Sequence, residues 1–374
     1  MTTTTTNHDK ETIVMAIEVS NSNWLLGFSN GEKKSIRNVK AWDIEHFEKE
    51  VEKAKTKLKV DGKAVIHCCY EAGRDGFGIH RYLESVGIHN NVIDPSSIDR
   101  DRRWKHKKTD RIDVKKMIEL QEMRYYMDNK KYRVVRVPSV EAEDERRLHR
   151  EWDRLKKERT GHINRIKSLL VMHGIKVKSV QSLDIVEIRD WANNPLPPML
   201  REEIVREQER LALVEKQIRT IRQKREQRIK HPENRSDEIV CRLLMLKSIG
   251  PQISWTLVKE FFGWRTFKNR KQVGSLAGLT GCPYNSGTMN HEQGISKAGN
   301  CQVRTLAIEL AWLWLRWQPN SKLSKWYNER FGDSGDRLRR IGIVALARKL
   351  LVALWKYIEF GIVPDGAVFK TVAK

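Results

Sequence analysis

Apolar residues follow two periods along this chain, and the change from one to the other divides it. Thr12 to Val19, Thr-Ile-Val-Met-Ala-Ile-Glu-Val, is a buried-strand run broken by a single acid, Glu18. Trp24 to Phe28 and Lys34 to Val39 predict two further strands, with Asn30-Gly31 as the turn of a hairpin meander. An amphipathic helix runs from about Ile44 to Leu58. Ala64 to Tyr70 is again an apolar strand, with Glu71 at its carboxyl end. Gly73 to Gly78 then makes a loop, Ile79 to Val86 a helix, and Asn91 to Ile93 a last short strand ending at Asp94-Pro95.

Three meandering strands followed by alternating helix and strand predict an α/β unit, a mixed sheet flanked by helices. That is the strand order of a ribonuclease-H-like fold. The chain beyond it is predicted to be helical. From Val140 to about Leu170, Leu148, Trp152, Leu155, Ile163, Ile166 and Leu170 recur at helical spacing among dense charges. After Asn194-Pro195 and Pro197-Pro198, Leu200, Ile204, Leu211, Val214, Ile218 and Ile221 follow a heptad that only Glu207 interrupts. The two segments predict an antiparallel hairpin or coiled coil. Its exposed cations can lie along nucleic acid, the hairpin can be purely structural, or it can drive oligomerisation.

His-Pro-Glu-Asn-Arg-Ser-Asp at 231–237 is predicted to be a linker. The third region opens with Leu243 to Gly250-Pro251 and a helix from Ile253 to Phe262. Such a glycine turn either exposes backbone N–H groups to a phosphate, as helix-hairpin-helix modules do, or is an ordinary helical corner. Pro283-Tyr-Asn-Ser-Gly follows, where Ser286 has the plain reading of a polar loop serine, and Gly294-Ile-Ser-Lys-Ala-Gly-Asn is predicted to open a helix from Cys301 to Trp317. Val303, Leu306, Leu310, Trp314 and Trp317 form its core-facing stripe. The expected domains are a disordered tail at 1–11, an α/β domain at 12–138, a helical hairpin at 139–236 and a C-terminal, mainly helical domain at 237–374.

Charge narrows the function. In 374 residues, 71 Lys and Arg face 48 Asp and Glu, a formal net charge of +23, so the expected partner is a polyanion rather than a small metabolite, though a ribosome-associated or membrane-surface protein would share the charge. No apolar run reaches the length of a membrane span, and the Thr-rich start lacks the blocks of a signal peptide. Five cysteines, at 68, 69, 241, 282 and 301, show no zinc spacing and point to a reducing, intracellular protein without structural disulfides.

The candidate chemistry lies in four acids. In Lys105 to Asp113, Lys-His-Lys-Lys-Thr-Asp-Arg-Ile-Asp, a helix from Thr109 would project Asp110 and Asp113 from one face. Glu18 lies on the first strand and Glu71 at the end of the fourth, which are neighbours in an open sheet of this order. Converging carboxylates can bind two divalent ions about 3.5 to 4 Å apart for phosphodiester chemistry, magnesium suiting all-oxygen ligands best. Each acid also has a structural reading: Glu71 as a loop acid, Glu18 as a satisfied buried acid, and Asp110 and Asp113 as acids favoured at a helix start. The cations beside them, Lys105, Lys107, Lys108 and Arg111, are candidate nucleic-acid contacts.

Together, Tyr-Glu-Ala-Gly around Glu71, Lys-Thr-Asp-Arg-Ile-Asp, and the later Ala-Gly-Leu-Thr, Tyr-Asn-Ser-Gly and Ile-Ser-Lys-Ala-Gly-Asn resemble the DEDD-type insertion-sequence transposases, the bridge-RNA-guided recombinases. The resemblance covers about residues 12 to 360. It implies a RuvC-like N-terminal domain whose acids, matched by Glu18, Glu71, Asp110 and Asp113, bind Mg2+. It also implies a C-terminal nucleophilic serine, matched by Ser286, that forms a covalent phosphoserine with DNA. Further implied are a structured guide RNA that pairs with donor and target DNA, a homo-dimer or tetramer sharing sites between protomers, and a cytoplasmic, nucleoid-associated place in a prokaryote. Lys297, Asn300 and Arg304 are candidate phosphate contacts, or positioning residues only. One departure stands out. The family's first acid is usually aspartate, and Glu18 reaches one methylene farther.

Three functions compete. The first is an RNA-guided DNA recombinase that uses Ser286. The second is a hydrolytic structure-selective nuclease that uses the acids with water. The third is a catalytically impaired nucleic-acid-binding protein, suggested by Glu18.

Overall fold

The computed structural model describes residues 12–60, 64–98, 109–129, 131–181, 183–286 and 289–371; the predicted tail lies outside them. The chain falls into two compact units, one ending at Val137 and the other running from Pro138.

The first unit is built on a five-stranded mixed sheet. Strands β1 (Thr12–Val19), β2 (Asn23–Ser29) and β3 (Lys34–Lys40) form the antiparallel meander. Helix α1 (Ile44–Leu58) leads to β4 (Val65–Glu71), and α2 (Gly78–Ser85) leads to β5 (His89–Ile93). The spatial order is β3-β2-β1-β4-β5, with β4 parallel to both β1 and β5. The predicted strands and their order are all present, with ends shifted by one or two residues.

Both faces of the sheet are covered, which explains why β1 reads as a continuous apolar run rather than an alternating one. Ile13, Met15 and Ile17 pack with α1 and α2 residues such as Phe47, Val51, Ile79 and Leu83. Val14 and Ala16 face the other way, onto α3 (Asp110–Tyr126), through Val114, Met117 and Ile118. Gly27 makes this docking close: a Cβ there would run into Val114 Cγ1 and Ile118 Cδ1.

In the second unit, α4 (Val140–Asp144), α5 (Arg147–Val171) and α6 (Pro198–Lys230) replace the two predicted helices. The first predicted helix is divided at Glu145 and Arg146. Tertiary anchors account for the break: Lys259 Nζ lies 3.2 Å from Glu145 Oε2, and buried Arg146 stacks 4.7 Å over the Trp264 ring. α5 and α6 run antiparallel, as the heptad implies. Leu155 near the start of α5 clusters with Val214, Ile218 and Ile221, while Ile166 and Leu170 near its end cluster with Ile204 and Leu211.

The predicted linker at 231–237 shrinks, because α7 (Arg235–Leu244) starts inside it. The Asn234 side chain accepts the Asp237 amide at 3.0 Å, a helix cap that the turn-like composition concealed. α8 (Pro251–Leu257) follows the Gly250 turn and continues to Phe262 as a π-helical segment. α9 (Arg270–Leu276), the hairpin β6 (Gly281–Ser286) and β7 (Met289–Ile295), then α10 (Cys301–Trp317), α11 (Lys322–Phe331) and α12 (Asp336–Phe360) complete the unit.

Two expectations in this region change. Pro283 to Ser286 belong to a strand rather than a loop, paired with β7 across Pro283–Glu292 and Ser286–Met289. Trp314 is fully buried as predicted, whereas Trp317, at the end of α10, is 43% exposed with Lys247 and Arg316 beside its ring. The long α12 forms the spine of the core, with Ile343, Leu346, Leu350 and Leu354 packed against α7 to α10.

Candidate functional site

The sheet sets two of the four predicted acids side by side at one end, and the other two open α3. The last paired residues of β1 and β4 are Ile17 and Tyr70, so Glu18 and Glu71 occupy the next position on two adjacent parallel strands. Adjacent strands run about 4.8 Å apart. Both acids continue the face that carries Val14, Ala16 and Cys69, the face on which α3 packs.

α3 runs antiparallel to β1 and β4. Its last residue, Tyr126, donates its hydroxyl to the Thr12 carbonyl at 3.1 Å, at the start of β1, and Cys69 Sγ contacts the Met117 carbonyl at 3.9 Å halfway along. The first turn of α3, with Asp110 and Asp113, therefore lies toward the end of the sheet where Glu18 and Glu71 stand. Asp113 precedes the buried Val114 and is half-buried, and Asp110 and Arg111 are exposed. Sharing one end is weaker than coordination. Among the described residues, no three carboxylate, imidazole or thiolate groups stand together as a metal-holding group. Lys105, Lys107 and Lys108 lie outside the described residues.

The predicted serine belongs to the second unit. The backbone of Ser286 ends β6 at the tip of the β6–β7 hairpin, and its side chain lies outside the described part. The base of that hairpin is better defined. Ser296 N donates to the Thr280 carbonyl at 2.8 Å, Lys297 N to Gly278 at 3.2 Å and Asn300 N to Leu276 at 3.3 Å, which carries the pairing below the strands.

Two glycines with positive φ make this clasp, Gly278 at 68° and Gly299 at 87°. A Cβ on Gly278 would strike the Ala298 carbonyl oxygen, and one on Gly299 would strike the Leu276 carbonyl oxygen. The Ala-Gly dipeptides of the two sequence blocks, Ala277-Gly278 and Ala298-Gly299, thus cross each other where the hairpin is rooted. Nothing in the local pattern of either block pairs it with the other. Their identical dipeptides were the available signal.

The candidate phosphate contacts downstream have local roles. Asn300 caps α10, its side-chain oxygen accepting the Gln302 and Val303 amides at 3.0 and 3.2 Å. Arg304 Nη1 donates to the Lys297 carbonyl at 2.7 Å and so straps the clasp; Lys297 is exposed. The first turn of α10 is tied to the helical hairpin by Asp153 on α5, which accepts from Gln302 and, at 3.3 Å, from Gln252 on α8. All five cysteines are free; Cys68 and Cys69 are fully buried, and burial pushes both thiols well up. No described helix is long and apolar enough to cross a membrane.

Comparison with known proteins places this architecture. Residues 241–325, from α7 through the clasp and hairpin into α11, match the model of the transposase IS116/IS110/IS902 family. The y4rJ protein of Sinorhizobium fredii, which bears a transposase name, is 38% identical over 382 residues, covering 97% of this chain and 96% of its own. The transposase for insertion sequence element IS1533 of Leptospira borgpetersenii is 31% identical over 186 residues, 50% of this chain and 48% of its own. That for element IS1328 of Yersinia enterocolitica is 25% identical over 214 residues, 56% and 60% of the two chains. The chain belongs to the IS110 family of insertion-sequence transposases.

Proposed function

We propose that this transposase is an RNA-guided DNA recombinase that cuts and rejoins DNA through Ser286, with Glu18, Glu71, Asp110 and Asp113 as a Mg2+-binding cluster on a RuvC-like, ribonuclease-H-like unit. The observation that carries the reading is the register of β1 and β4, which sets Glu18 and Glu71 side by side while α3 runs back to deliver Asp110 and Asp113 to the same end.

The Ser286 hydroxyl oxygen attacks a DNA phosphorus. The new Ser Oγ–P bond forms as the P–O bond to one strand breaks; the serine proton passes to a base or water, and the departing strand oxygen takes up a proton. Rejoining is the same exchange run in reverse with another strand's hydroxyl, so no external energy is needed. A serine hydroxyl is a weak nucleophile until activated. Glu18, Glu71, Asp110 and Asp113 would hold Mg2+, which when bound would offset charge on a reacting phosphate. The donor set is chemically suited to it, and the acids must draw closer than they stand to share an ion. In the same reading a structured RNA carries the sequence specificity and the protein acts as a homo-dimer or tetramer.

The test is covalent trapping. The protein purified with its co-purifying RNA and given element DNA with Mg2+ should yield a protein–DNA adduct that Ser286→Ala abolishes. Free cut ends without an adduct from the unaltered protein would establish the hydrolytic nuclease instead. Sequencing should find one discrete RNA species, and recovery of random cellular RNA would overturn the guided reading.

Glu18 has its own check. Glu18→Ala should lower Mg2+-dependent strand cleavage by at least about 100-fold, beyond the 10–100-fold typical of residues that only orient a metal ligand. Equal activity in Glu18→Ala and Glu18→Asp, with unchanged metal affinity, would remove Glu18 from the site.

A further inference from the structure

We infer that Arg270, Lys271 and Arg348 form a seat for the phosphate backbone of duplex DNA beside the base of the β6–β7 hairpin. The inference rests on membership of a transposase family and needs neither Ser286 chemistry nor metal. Gly274 on α9 is buried, and a Cβ built there would lie 3.3 Å from Arg348 Cδ, 3.4 Å from its Cγ and 3.5 Å from Thr280 Cγ2. The methylene stem of Arg348, from α12, is therefore laid along α9 and against Thr280, whose carbonyl closes the hairpin base. Arg348 itself is exposed. Arg270 and Lys271 stand four and three residues before Gly274, on the same face of α9 and one turn away, and are also exposed.

Among the described residues these heads have no partner to neutralise them. Among the described residues, no carboxylate pairs with Arg270, Lys271 or Arg348, although many other exposed cations of the chain are paired. Sequence explains why. The three stretches that meet here, 261–291, 293–308 and 337–358, contain no Asp or Glu, in a chain that has 48 of them. A stem held in place by packing loses less freedom when its guanidinium engages a phosphate, and arginine's planar fork matches phosphate oxygens in pairs. Duplex DNA is the polyanion that an insertion-sequence transposase must hold.

The experiment measures binding of the full-length protein to a labelled random-sequence duplex of about 40 base pairs, across about 50 to 200 mM salt. Each lost phosphate contact lowers the slope of log K against log salt by about 0.9. The R270Q/K271Q/R348Q variant should therefore lose about 2 to 3 from the slope and bind at least about tenfold more weakly in mid-range salt. A charge-matched control, K33Q/K40Q/K57Q on the first unit, should lose far less, and R270K/R348K should restore the slope. If the triple variant does not fold, Lys271→Gln alone should lower the slope by about 1. Equal losses in the seat and control variants overturn the inference. A larger loss on duplex RNA than on DNA overturns the assignment to DNA. Adduct trapping reads the nucleophile and the salt slope reads the seat, so failure of the nucleophile reading and failure of the seat are separate results.

Discussion

Arg165 on α5 reaches across the helical hairpin to Glu207 on α6, its Nη1 lying 2.8 Å from both carboxylate oxygens. His162 Nδ1, at 2.6 Å, and Arg210 Nη1, also at 2.6 Å, complete the set around a glutamate that is almost fully buried. The acid that interrupts the heptad is thus a buried anion answered from both helices. Burial would raise its carboxyl, yet hydrogen bonds from His162 and Arg165 hold it below the usual range.

Because that carboxyl is depressed in the fold, its contribution is present above the ordinary glutamate range and lost as pH falls through the folded value. Glu207→Ala leaves a cavity and unanswered donors and should cost about 2 kcal/mol or more in denaturant unfolding. Glu207→Leu restores the heptad and releases half-exposed arginines to water, so it should be near neutral or stabilising. A Leu variant as destabilised as the Ala variant would show that the ion set holds the hairpin together.

The clasp under the β6–β7 hairpin leaves no room for side chains. Gly278→Ala and Gly299→Ala each add a left-handed backbone penalty of about 1–3 kcal/mol to a collision with a carbonyl oxygen. Both should lower the melting temperature of the second unit and make the hairpin sensitive to limited proteolysis, while the first unit remains protected. Gly294→Ala is the comparison: its φ is also positive, at 86°, but among the described residues nothing lies within 4 Å of the added carbon. Equal behaviour of all three variants would reduce the clasp to local backbone strain.

His149 on α5 gives a pH signature. It is fully buried, among the described residues neither ring nitrogen has a hydrogen-bond partner, and burial pushes its pKa down to about 4 even though Asp153 Oδ2 lies 3.5 Å away. Arg225 and Lys156 oppose its protonation, and Glu260 and Asp153 favour it. The imidazole is neutral in the fold, and the unfolded chain takes up the proton first. Stability is therefore complete above about pH 6.5 and lost progressively toward pH 4, by up to about 3 kcal/mol. His149→Phe should flatten that limb in urea titrations between pH 7 and 4.5. An unchanged slope would assign the acid sensitivity elsewhere.

The site was legible unevenly, and particular residues show why. Glu18 and Glu71 could be paired on paper because strand order fixes which strands touch, and an acid in an apolar run is conspicuous. Arg348 could not be found that way. It lies 62 residues beyond Ser286 in a helix with no motif, and it matters only because α12 packs its stem on Gly274. Charge and position make Lys297, Asn300 and Arg304 candidate contacts, yet the cap of α10 and the strap on Lys297 occupy polar groups of Asn300 and Arg304.

By itself the sequence determined the meander, the alternation that follows it, the antiparallel helical hairpin and the glycine blocks, since these are set by local period and turn chemistry. Tertiary structure alone decided the break at Glu145 and Arg146, the exposure of Trp317 and the crossing of Gly278 with Gly299. Each of those depends on a partner far along the chain, such as Lys259 for Glu145 or Leu276 for Gly299, and period and composition report only on neighbours.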